Sequence, residues 1–466
     1  MDDQKTSWLD TLLLLLTNFT NYCQAVAISL TPHLPAPPRV LRRNVAPPEI
    51  FSTQWRNPTD VLSVLLIIGG DIIQKALAQL SGGLLVPVAF SFGWVAYSFS
   101  TVMSVVGDGK LMPATDYPAK VINAENGYMR NNKSWILGRL LRDHETPLDD
   151  KIGLSITVFE AQDNAGVPHR DLFWWSGVVV ILLQLGIAAI PCGLHKDWAI
   201  LLLTAGGTLL ALITGALPQW RFEKWACRHE TEKVVSLTGG NGTRHVMVII
   251  GNKKGLDLED LAAAESPRMR RRGEDSDRLA KKVRDEHGEV IKDKKGNDKT
   301  EVRMIKGLPA AFWITQTACL ILAAVWIVFL ISVAGWKQNT WYLLAVGSFG
   351  MVQNVVVAGA KRGASTTGIH LKMVEKIQQQ KVMDALMDLE NAYETVGRSL
   401  IDEFFHGKLR PAETQWWEAN KDAYDKKRRA ERAASLVKVQ RSKGEEEEIE
   451  SVRARHYKMI HPDPKK

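Results

Sequence analysis

The stretch AFWITQTACLILAAVWIVFLISVAG, residues 311–335, contains no charged side chain and is almost entirely apolar. The hydrocarbon core of a bilayer is about 30 Å thick, and a helix of about 20 apolar residues crosses it. A helix at the surface of a soluble domain instead keeps a polar face toward water. Residues 311–335 therefore predict a transmembrane helix.

Five further stretches have a similar length and apolar character. The six predicted spans are Val61–Leu80, Leu84–Val106, Phe173–Pro191, Trp198–Leu217, Ala311–Ala334 and Trp341–Gly359. They form three hairpins, at residues 61–106, 173–217 and 311–359, with short turns at Ser81–Gly83, Cys192–Asp197 and Gly335–Thr340. The predicted fold class is an α-helical polytopic membrane protein with about six transmembrane helices in three hairpins, a small cytosolic α/β unit and a helical C-terminal tail.

The overall composition conceals this pattern. The chain has 466 residues, 24% charged side chains and a net charge of +8, close to the average charged fraction of about 25% in soluble proteins. The apolar residues, however, are concentrated in the six long runs. The four cysteines are widely spaced and form no C-x-x-C pair, which excludes a disulfide scaffold.

Basic residues orient the predicted spans. All 59 Lys and Arg residues except Lys75, Lys196 and Lys337 lie in four long polar segments, at 1–60, 107–172, 218–310 and 360–466. Cytosolic flanks of transmembrane helices are enriched in Lys and Arg. We therefore expect an integral membrane protein with both termini in the cytosol, and the plasma membrane and endomembranes remain open as its location.

The N-terminal region 1–60 contains a further apolar stretch at residues 11–29. It is compatible with a seventh span, an interfacial helix or a buried cytosolic helix. Because Asn18, Asn21 and Gln24 would each be costly in lipid, a non-spanning helix is favoured.

The long polar segments predict a folded cytosolic unit. Residues 152–161 and 244–251 are short, β-branched runs typical of buried strands. A charged insert is predicted at 265–303. In the tail, residues 360–466, an apolar stripe from Val382 to Leu400 predicts a helix that docks on the cytosolic unit, followed by a charged, disordered end.

Several motifs resemble one family. These motifs are GGDIIQKALAQLSGG (69–83), FSFGWVAYSFS (90–100), GDGKLMP (107–113), HVMVIIG (245–251) with GLDLEDLA (255–262), and VMDALMDLE (382–390) followed by FFHGKLR and WW. They resemble a group of uncharacterised multi-pass membrane proteins of filamentous fungi, over residues 55 to 420. The resemblance implies a membrane location and supplies no activity or ligand.

Polar side chains within the predicted spans are candidates for a functional or structural cluster. They are Asp71, Gln74, Lys75, Gln184, Gln353 and Asn354. Asp71 and Lys75 are four residues apart and can pair on one helix face, and amide side chains can form hydrogen bonds between helices. A structural cluster is favoured over an ion or substrate pathway.

Weaker candidates lie in the cytosolic segments. His144 and Asp149 have the H-x-x-x-x-D spacing of glycerolipid acyltransferases, in which the histidine acts as a general base. Arg268, Arg270, Arg271 and Arg272 form a dense basic cluster that suits contact with anionic lipid. No metal site or cofactor is predicted. The expected partners are the lipid bilayer and proteins bound through the cytosolic unit and tail, and no nucleic-acid motif accompanies the charge.

Three functions follow as hypotheses. A non-enzymatic membrane scaffold or regulator is favoured. A transporter or channel that uses the polar cluster around Asp71 is the alternative. A membrane-bound enzyme such as an acyltransferase comes third.

Overall fold

The computed structural model divides the chain into Met1–Thr53 and Gln54–Lys466. It describes residues 69–107, 110–264, 281–282, 300–301, 304–305, 308–336, 338–418, 421, 424–426, 428 and 443–461. The candidate helix at 11–29 and the basic cluster at 268–272 lie outside the described residues, as does most of the charged insert.

The described residues form the following elements in chain order. The helices are α1 (Gly70–Leu80), α2 (Trp94–Val106), α3 (Trp135–His144), α4 (Leu172–His195), α5 (Ala199–Gly215), α6 (Pro218–Lys224), α7 (Leu258–Ala263), α8 (Ala310–Gly335), α9 (Thr340–Gly359), α10 (Val382–Ala392), α11 (Val396–Ser399), α12 (Ile401–Phe404), α13 (Pro411–Trp417) and α14 (Lys443–Ile460). The strands are β1 (Lys120–Asn123), β2 (Met129–Asn131), β3 (Leu154–Ala161), β4 (His229–Thr231), β5 (Val234–Thr238), β6 (His245–Ile250), β7 (Gly255–Leu256), β8 (Lys281–Lys282), β9 (Thr300–Glu301), β10 (Met304–Ile305), β11 (Leu308–Pro309) and β12 (Leu371–Gln379).

A mixed six-stranded sheet organises the polar half of the chain, in the order β12-β3-β6-β5-β1-β2. The central pair β3 and β6 is parallel, and the other neighbours are antiparallel. These two strands are the ones that the sequence predicts at 152–161 and 244–251. Side chains of both are buried, as expected for strands covered on both faces.

The two faces of the sheet pack against different partners. One face, with Val121, Val235 and Met247, belongs to the same apolar core as α3, α7 and the long apolar helices. The other face, with Ile156 and Val248, packs against α10 and the residues that follow it. The predicted stripe from Val382 to Leu400 is buried there, although its helix ends at Ala392 and Thr395 adopts a left-handed conformation with φ 74°.

The predicted fold class is wrong. The chain has a mixed α/β fold, and its described residues contain three helices long and apolar enough to cross a membrane, at Leu172–His195, Trp313–Gly335 and Thr340–Gly359. A fourth is present if Ala199–Gly215 and Pro218–Lys224, which are bent by 41°, are taken as one span. The described residues therefore do not form six transmembrane helices.

Backbone breaks explain the difference at the first predicted hairpin. Helix α1 begins only at Gly70, after Gly69 with φ 94°, and ends at Leu80. Residues 81–93 are not helical, and α2 begins at Trp94 after Gly93 with φ 91°. Pro87 lies in the non-helical stretch, and proline lacks the N–H that a helix interior requires. Leu84–Val106 is thus not one continuous span, and the described part of Val61–Leu80 is helical only from Gly70. Residues 61–68 lie outside the described residues.

The buried sheet yields a first prediction. Val248 lies on β6 with 0% of its side chain exposed. Because burying an unpaired carboxylate costs several kcal/mol, Val248→Asp should make the sheet unit sensitive to protease while the apolar helices still insert into membranes. Val167→Asp, at a loop side chain that is 52% exposed, is the matched control and should be digested at the wild-type rate. Equal resistance of both variants would contradict the buried position of β6.

Candidate functional site around a buried extended segment

A stretch of extended chain lies inside the helical bundle. Residues Val86–Phe92 are buried, although they form neither helix nor sheet. Phe90 has its ring 5.5 Å from that of Phe329 in an edge-to-face arrangement, and Trp94, at the start of α2, stacks on Trp326 at 5.5 Å. Residues 84–93 are named here the extended segment. It is enclosed by α4, α5, α8 and α9.

Polar side chains from two long helices satisfy the carbonyl groups of the extended segment. Gln184 Nε2, on α4, donates to Phe90 O at 2.6 Å and to Val346 O at 2.8 Å. Asn354 Nδ2, on α9, donates to Ala89 O at 2.9 Å and to Ser91 Oγ at 2.8 Å. Within the segment, Val88 N donates to Val86 O at 2.8 Å, but the helical hydrogen bonds are missing, and an unsatisfied carbonyl in an apolar setting is costly. Gln184 and Asn354 replace the helical hydrogen bonds that this segment lacks.

Glycines on the surrounding helices make room for the segment. A Cβ atom at Gly350 would lie 1.9 Å from Phe90 O, and one at Gly177 would lie 2.2 Å from Pro87 O. Close contacts with the side chains of Val86, Phe90 or Phe92 also occur at Gly207, Gly215 and Gly347. Any side chain at Gly350 or Gly177 would therefore displace the backbone. Small residues of this kind permit close packing in apolar bundles.

Contacts at the two ends show that the segment enters and leaves the bundle on the same side. Ser81 O accepts a hydrogen bond from Lys224 Nζ at 2.7 Å, and Gly82 lies against Trp225, next to the sheet. Further along the segment, the ring of Phe92 contacts Gly347, which lies in the middle of α9. Helix α2 then runs back toward the sheet and packs along α8. The chain reaches the sheet end of the bundle at Leu111. Residues 82–106 therefore turn back within the bundle, and we call them the re-entrant unit.

A network of buried charges fixes the start of this unit. Lys224, with 1% exposure, donates to Ala78 O at 3.0 Å, to Gln79 O at 3.3 Å and to Ser81 O. Arg362 Nη1 donates to Gln79 O at 2.7 Å, and its Nε and Nη2 bind both oxygens of Asp171 at 2.8 and 2.7 Å. Two basic side chains thus donate to the carbonyl groups at the C-terminal end of α1.

The network continues into the sheet unit. The backbone N–H of Arg362 donates to Asp143 Oδ2 at 3.0 Å, and Arg142 Nη2 donates to Ala360 O at 2.9 Å. Asp143 and Arg142 lie at the end of α3, which packs under the sheet, whereas Arg362 follows α9. We call Lys224, Arg362, Asp171, Asp143 and Arg142 the junction network. It couples the helical bundle to the sheet.

A partly buried glutamate side chain holds the end of the re-entrant unit. Glu223 accepts hydrogen bonds from the backbone N–H groups of Leu111 and Met112, each at 2.7 Å to Oε2. Gln74 Nε2, on α1, donates to Leu111 O at 2.9 Å. The chain is therefore tied to both α6 and α1 where it leaves the bundle.

The predicted polar cluster separates into different groups. Gln184 and Asn354 meet at the extended segment, Gln353 Nε2 donates to Ser176 Oγ at 2.8 Å, and Gln74 lies at the sheet end. Asp71 is exposed on α1, and the described residues show no ion pair between it and Lys75. The two amides have a structural role, and Asp71 stands apart from them.

The structure places His144 and Asp149 in different surroundings. The ring of His144 contacts Phe159 and His245, with centroid distances of 5.4 and 6.0 Å. The carboxylate of Asp149 accepts a hydrogen bond from Lys151 N at 3.1 Å and stabilises a turn. In this geometry Asp149 orients Lys151 and not the imidazole.

Burial lowers the pKa values of both histidines. Desolvation, reinforced by His245 and Lys376, lowers the pKa of His144 from 6.5 to about 4. Desolvation also lowers the pKa of His245, whose Nε2 lies 2.9 Å from Thr146 O. Both rings are therefore neutral at physiological pH. Within the described residues, no group of three or more His, Cys, Asp and Glu side chains has the proximity needed to hold a metal ion.

Comparison of the chain with protein-family models, curated proteins and solved structures found no match. The site is therefore defined by its own geometry. Sequence patterns identify Gln184 and Asn354 as candidates, but they miss the five glycines, Lys224, Arg362 and Glu223. Gly347 and Gly350 lie on one turn of a long apolar helix, and this pattern is the sequence feature that indicates close packing there.

The glycine packing yields a second prediction. Gly350→Ala should lower the melting temperature in detergent, because the new methyl group overlaps Phe90 O and overpacking of this kind costs about 1–3 kcal/mol. Gly186→Ala is the matched control, since a Cβ there meets nothing within 4 Å. It should be neutral or stabilising, because alanine favours helices over glycine by roughly 0.5–1 kcal/mol. An unchanged melting temperature for Gly350→Ala would contradict the buried course of the extended segment.

The histidine pair yields a third prediction. Because the folded pKa of His144 lies near 4 and below its usual 6.5, the unfolded chain binds more protons between these values. The stability that depends on a neutral His144 is complete above pH 6.5 and is lost as the pH falls toward 4. The melting temperature should therefore fall less between pH 7 and pH 5 in His144→Leu than in the wild type. His406→Leu, at an exposed ring, should follow the wild type, and identical slopes for all three would refute this assignment.

Proposed function

We propose that the protein is a non-enzymatic membrane scaffold or regulator, in which the apolar helices anchor a rigid sheet unit at one face of the bilayer. The observation that supports this most directly is that polar side chains inside the bundle bind the protein's own backbone. Gln184 and Asn354 donate to backbone groups of the extended segment and so serve packing. Their donor groups are occupied by the protein itself.

The junction network supports the same function. Arg362 binds Asp171 through two hydrogen bonds, and its own backbone N–H binds Asp143 at the end of α3. A protein that presents a binding surface benefits from a rigid link to its anchor, because less ordering is then required on binding. The sheet unit and the tail helices α10–α14 supply the surface for a protein partner.

We place the sheet unit in the cytosol. The segments on the sheet side of the bundle carry many Lys and Arg residues near the apolar helices, including Arg221, Arg228 and Lys361, whereas the turns at the other end contain Lys196 and Lys337. Asn339 Nδ2 and Asp197 Oδ2 join those two turns at 2.9 Å. The enrichment of basic residues on cytosolic flanks favours this orientation.

A transporter or channel is the second candidate, because of the re-entrant geometry. Extended chain between helix ends near the centre of a bundle is the usual setting of substrate and ion sites in transporters. Both Gly70 and Trp94 begin helices there, with Tyr97 beside Gly70. Asp71, in the first turn of α1, is the ionisable group for such a role.

The fourth prediction separates the two candidates. Full-length protein purified from native membranes should carry one or more proteins in fixed stoichiometry, and Asp71→Asn should still complement a deletion strain as the wild type does. Asp71 is exposed, so this change leaves the packing intact. Lys458→Gln, at an exposed tail residue, controls for expression. A saturable solute flux in proteoliposomes that is abolished by Asp71→Asn would overturn the scaffold and establish the transporter.

A further inference from the structure

A recess lies where the re-entrant unit enters the bundle. It is formed between the start of the extended segment, the start of α4 and the turn after α9. Its lining residues are Leu80, Gly83, Leu85, Pro168, His169, Arg170, Trp174, Arg362 and Thr366. The recess thus lies at the boundary between the apolar helices and the sheet unit.

Two exposed basic side chains border the recess. The guanidinium carbon of Arg170 lies 4.7 Å from the centroid of the Trp174 ring, in a cation–π contact, and His169 is its neighbour. The nearest acidic residue in the sequence, Asp171, is held by Arg362 and caps α4 by accepting from Trp174 N at 3.0 Å. Within the described residues Arg170 makes no ion pair, so its charge is available to an anion.

Large exposed apolar side chains adjoin the lining residues of the recess in the sequence. Leu84 is 86% exposed, Leu172 is 65% exposed and Trp175 is 52% exposed. Exposed apolar groups of this size mark contact with a membrane or a partner, and here they continue the apolar surface of α4. The recess therefore has an arginine at its rim, and exposed apolar side chains adjoin its lining.

We propose that this recess binds the headgroup of an anionic phospholipid in the leaflet next to the sheet unit. The headgroup phosphate contacts Arg170, with His169 as a second donor, and the acyl chains lie along Leu84 and Leu172. The planar guanidinium, held by Trp174, suits two hydrogen bonds to phosphate oxygens. A tryptophan at this level also matches the preference of indole rings for the headgroup region. The proposal rests on the membrane location proposed above.

The test uses the full-length protein in detergent, with phosphatidylserine and phosphatidylcholine as probes and native mass spectrometry as the readout. The wild type should retain phosphatidylserine in preference to phosphatidylcholine. Arg170→Gln combined with His169→Gln should lower the phosphatidylserine occupancy at least fivefold. Arg170→Lys keeps the charge but loses the planar stacking, and should give an intermediate occupancy. Arg398→Gln, which removes an exposed arginine from α11 on the far side of the sheet, should behave as the wild type.

The outcomes distinguish a headgroup site from a free-phosphate site and from a chain that lies outside the membrane. Equal phosphatidylserine occupancy in the wild type and the double variant would overturn the proposal. Displacement of the lipid by millimolar inorganic phosphate would identify a free-phosphate site and would overturn it as well. Release of the wild type from membranes by alkaline carbonate would refute the membrane location itself. Resistance to carbonate without a preference for phosphatidylserine would refute the headgroup site alone.

Discussion

The fold depends on the need to satisfy the backbone of residues 84–93 inside an apolar bundle. Extended chain cannot form the internal hydrogen bonds of a helix, and at membrane depth it is tolerated only where protein groups replace them. Gln184 and Asn354 supply these donors, at 2.6 Å to Phe90 O and 2.9 Å to Ala89 O. The glycines of α4, α5 and α9 let the helices approach closely enough for the amides to reach. Gln184, Asn354 and these glycines thus all accommodate the extended segment.

The same constraint determines how the bundle joins the sheet. Because α1 ends at the sheet side, its last carbonyl groups need partners there, and Lys224 and Arg362 provide them. Removing Lys224 would take away the side-chain donor of Ser81 O, and a buried carbonyl left without a partner typically costs about 1–3 kcal/mol. Gln79 O accepts from both Lys224 and Arg362 and keeps one donor when the other is removed. Arg362 also binds Asp171 through its guanidinium and Asp143 through its backbone N–H, so the end of α1, the start of α4 and the end of α3 meet at one residue. The apolar core continues without interruption from the bundle to one face of the sheet.

Some elements can be predicted from the sequence because their signals are local. The runs at 173–191 and 311–334 predicted α4 and α8, and β-branched stretches predicted β3 and β6. For the re-entrant unit the sequence predicts transmembrane helices instead, because an apolar run that crosses a bilayer and one that turns back within a bundle have the same composition. Pro87, Gly69 and Gly93 were the local signs of a break, but the hydropathy of the run concealed them.

Other features depend on residues far apart in the chain. Strand β3 pairs in parallel with β6 across 90 residues, with Thr157 opposite Met247, and nothing in either strand specifies that register by itself. The junction network joins residues 142, 143, 171, 224 and 362, each of which is an ordinary charged residue near the end of an apolar run. These residues come together only in the folded chain, so the sequence does not predict which of them pair. The separation of Asp71 from Gln184 and Asn354 likewise follows from the folded chain and not from a sequence motif.

The side of the membrane on which Gly83 lies decides whether residues 82–106 are re-entrant. In a variant without native cysteines, single cysteines are introduced at Gly83, at Tyr128 in the sheet unit and at Lys196 in the turn between α4 and α5. Gly83 and Tyr128 are both exposed. The re-entrant unit predicts that an impermeant thiol reagent modifies Gly83→Cys and Tyr128→Cys from the same side of sealed vesicles, and Lys196→Cys from the opposite side. Modification of Gly83→Cys from the side of Lys196 would show that residues 61–106 cross the membrane as a hairpin, and would contradict the re-entrant unit.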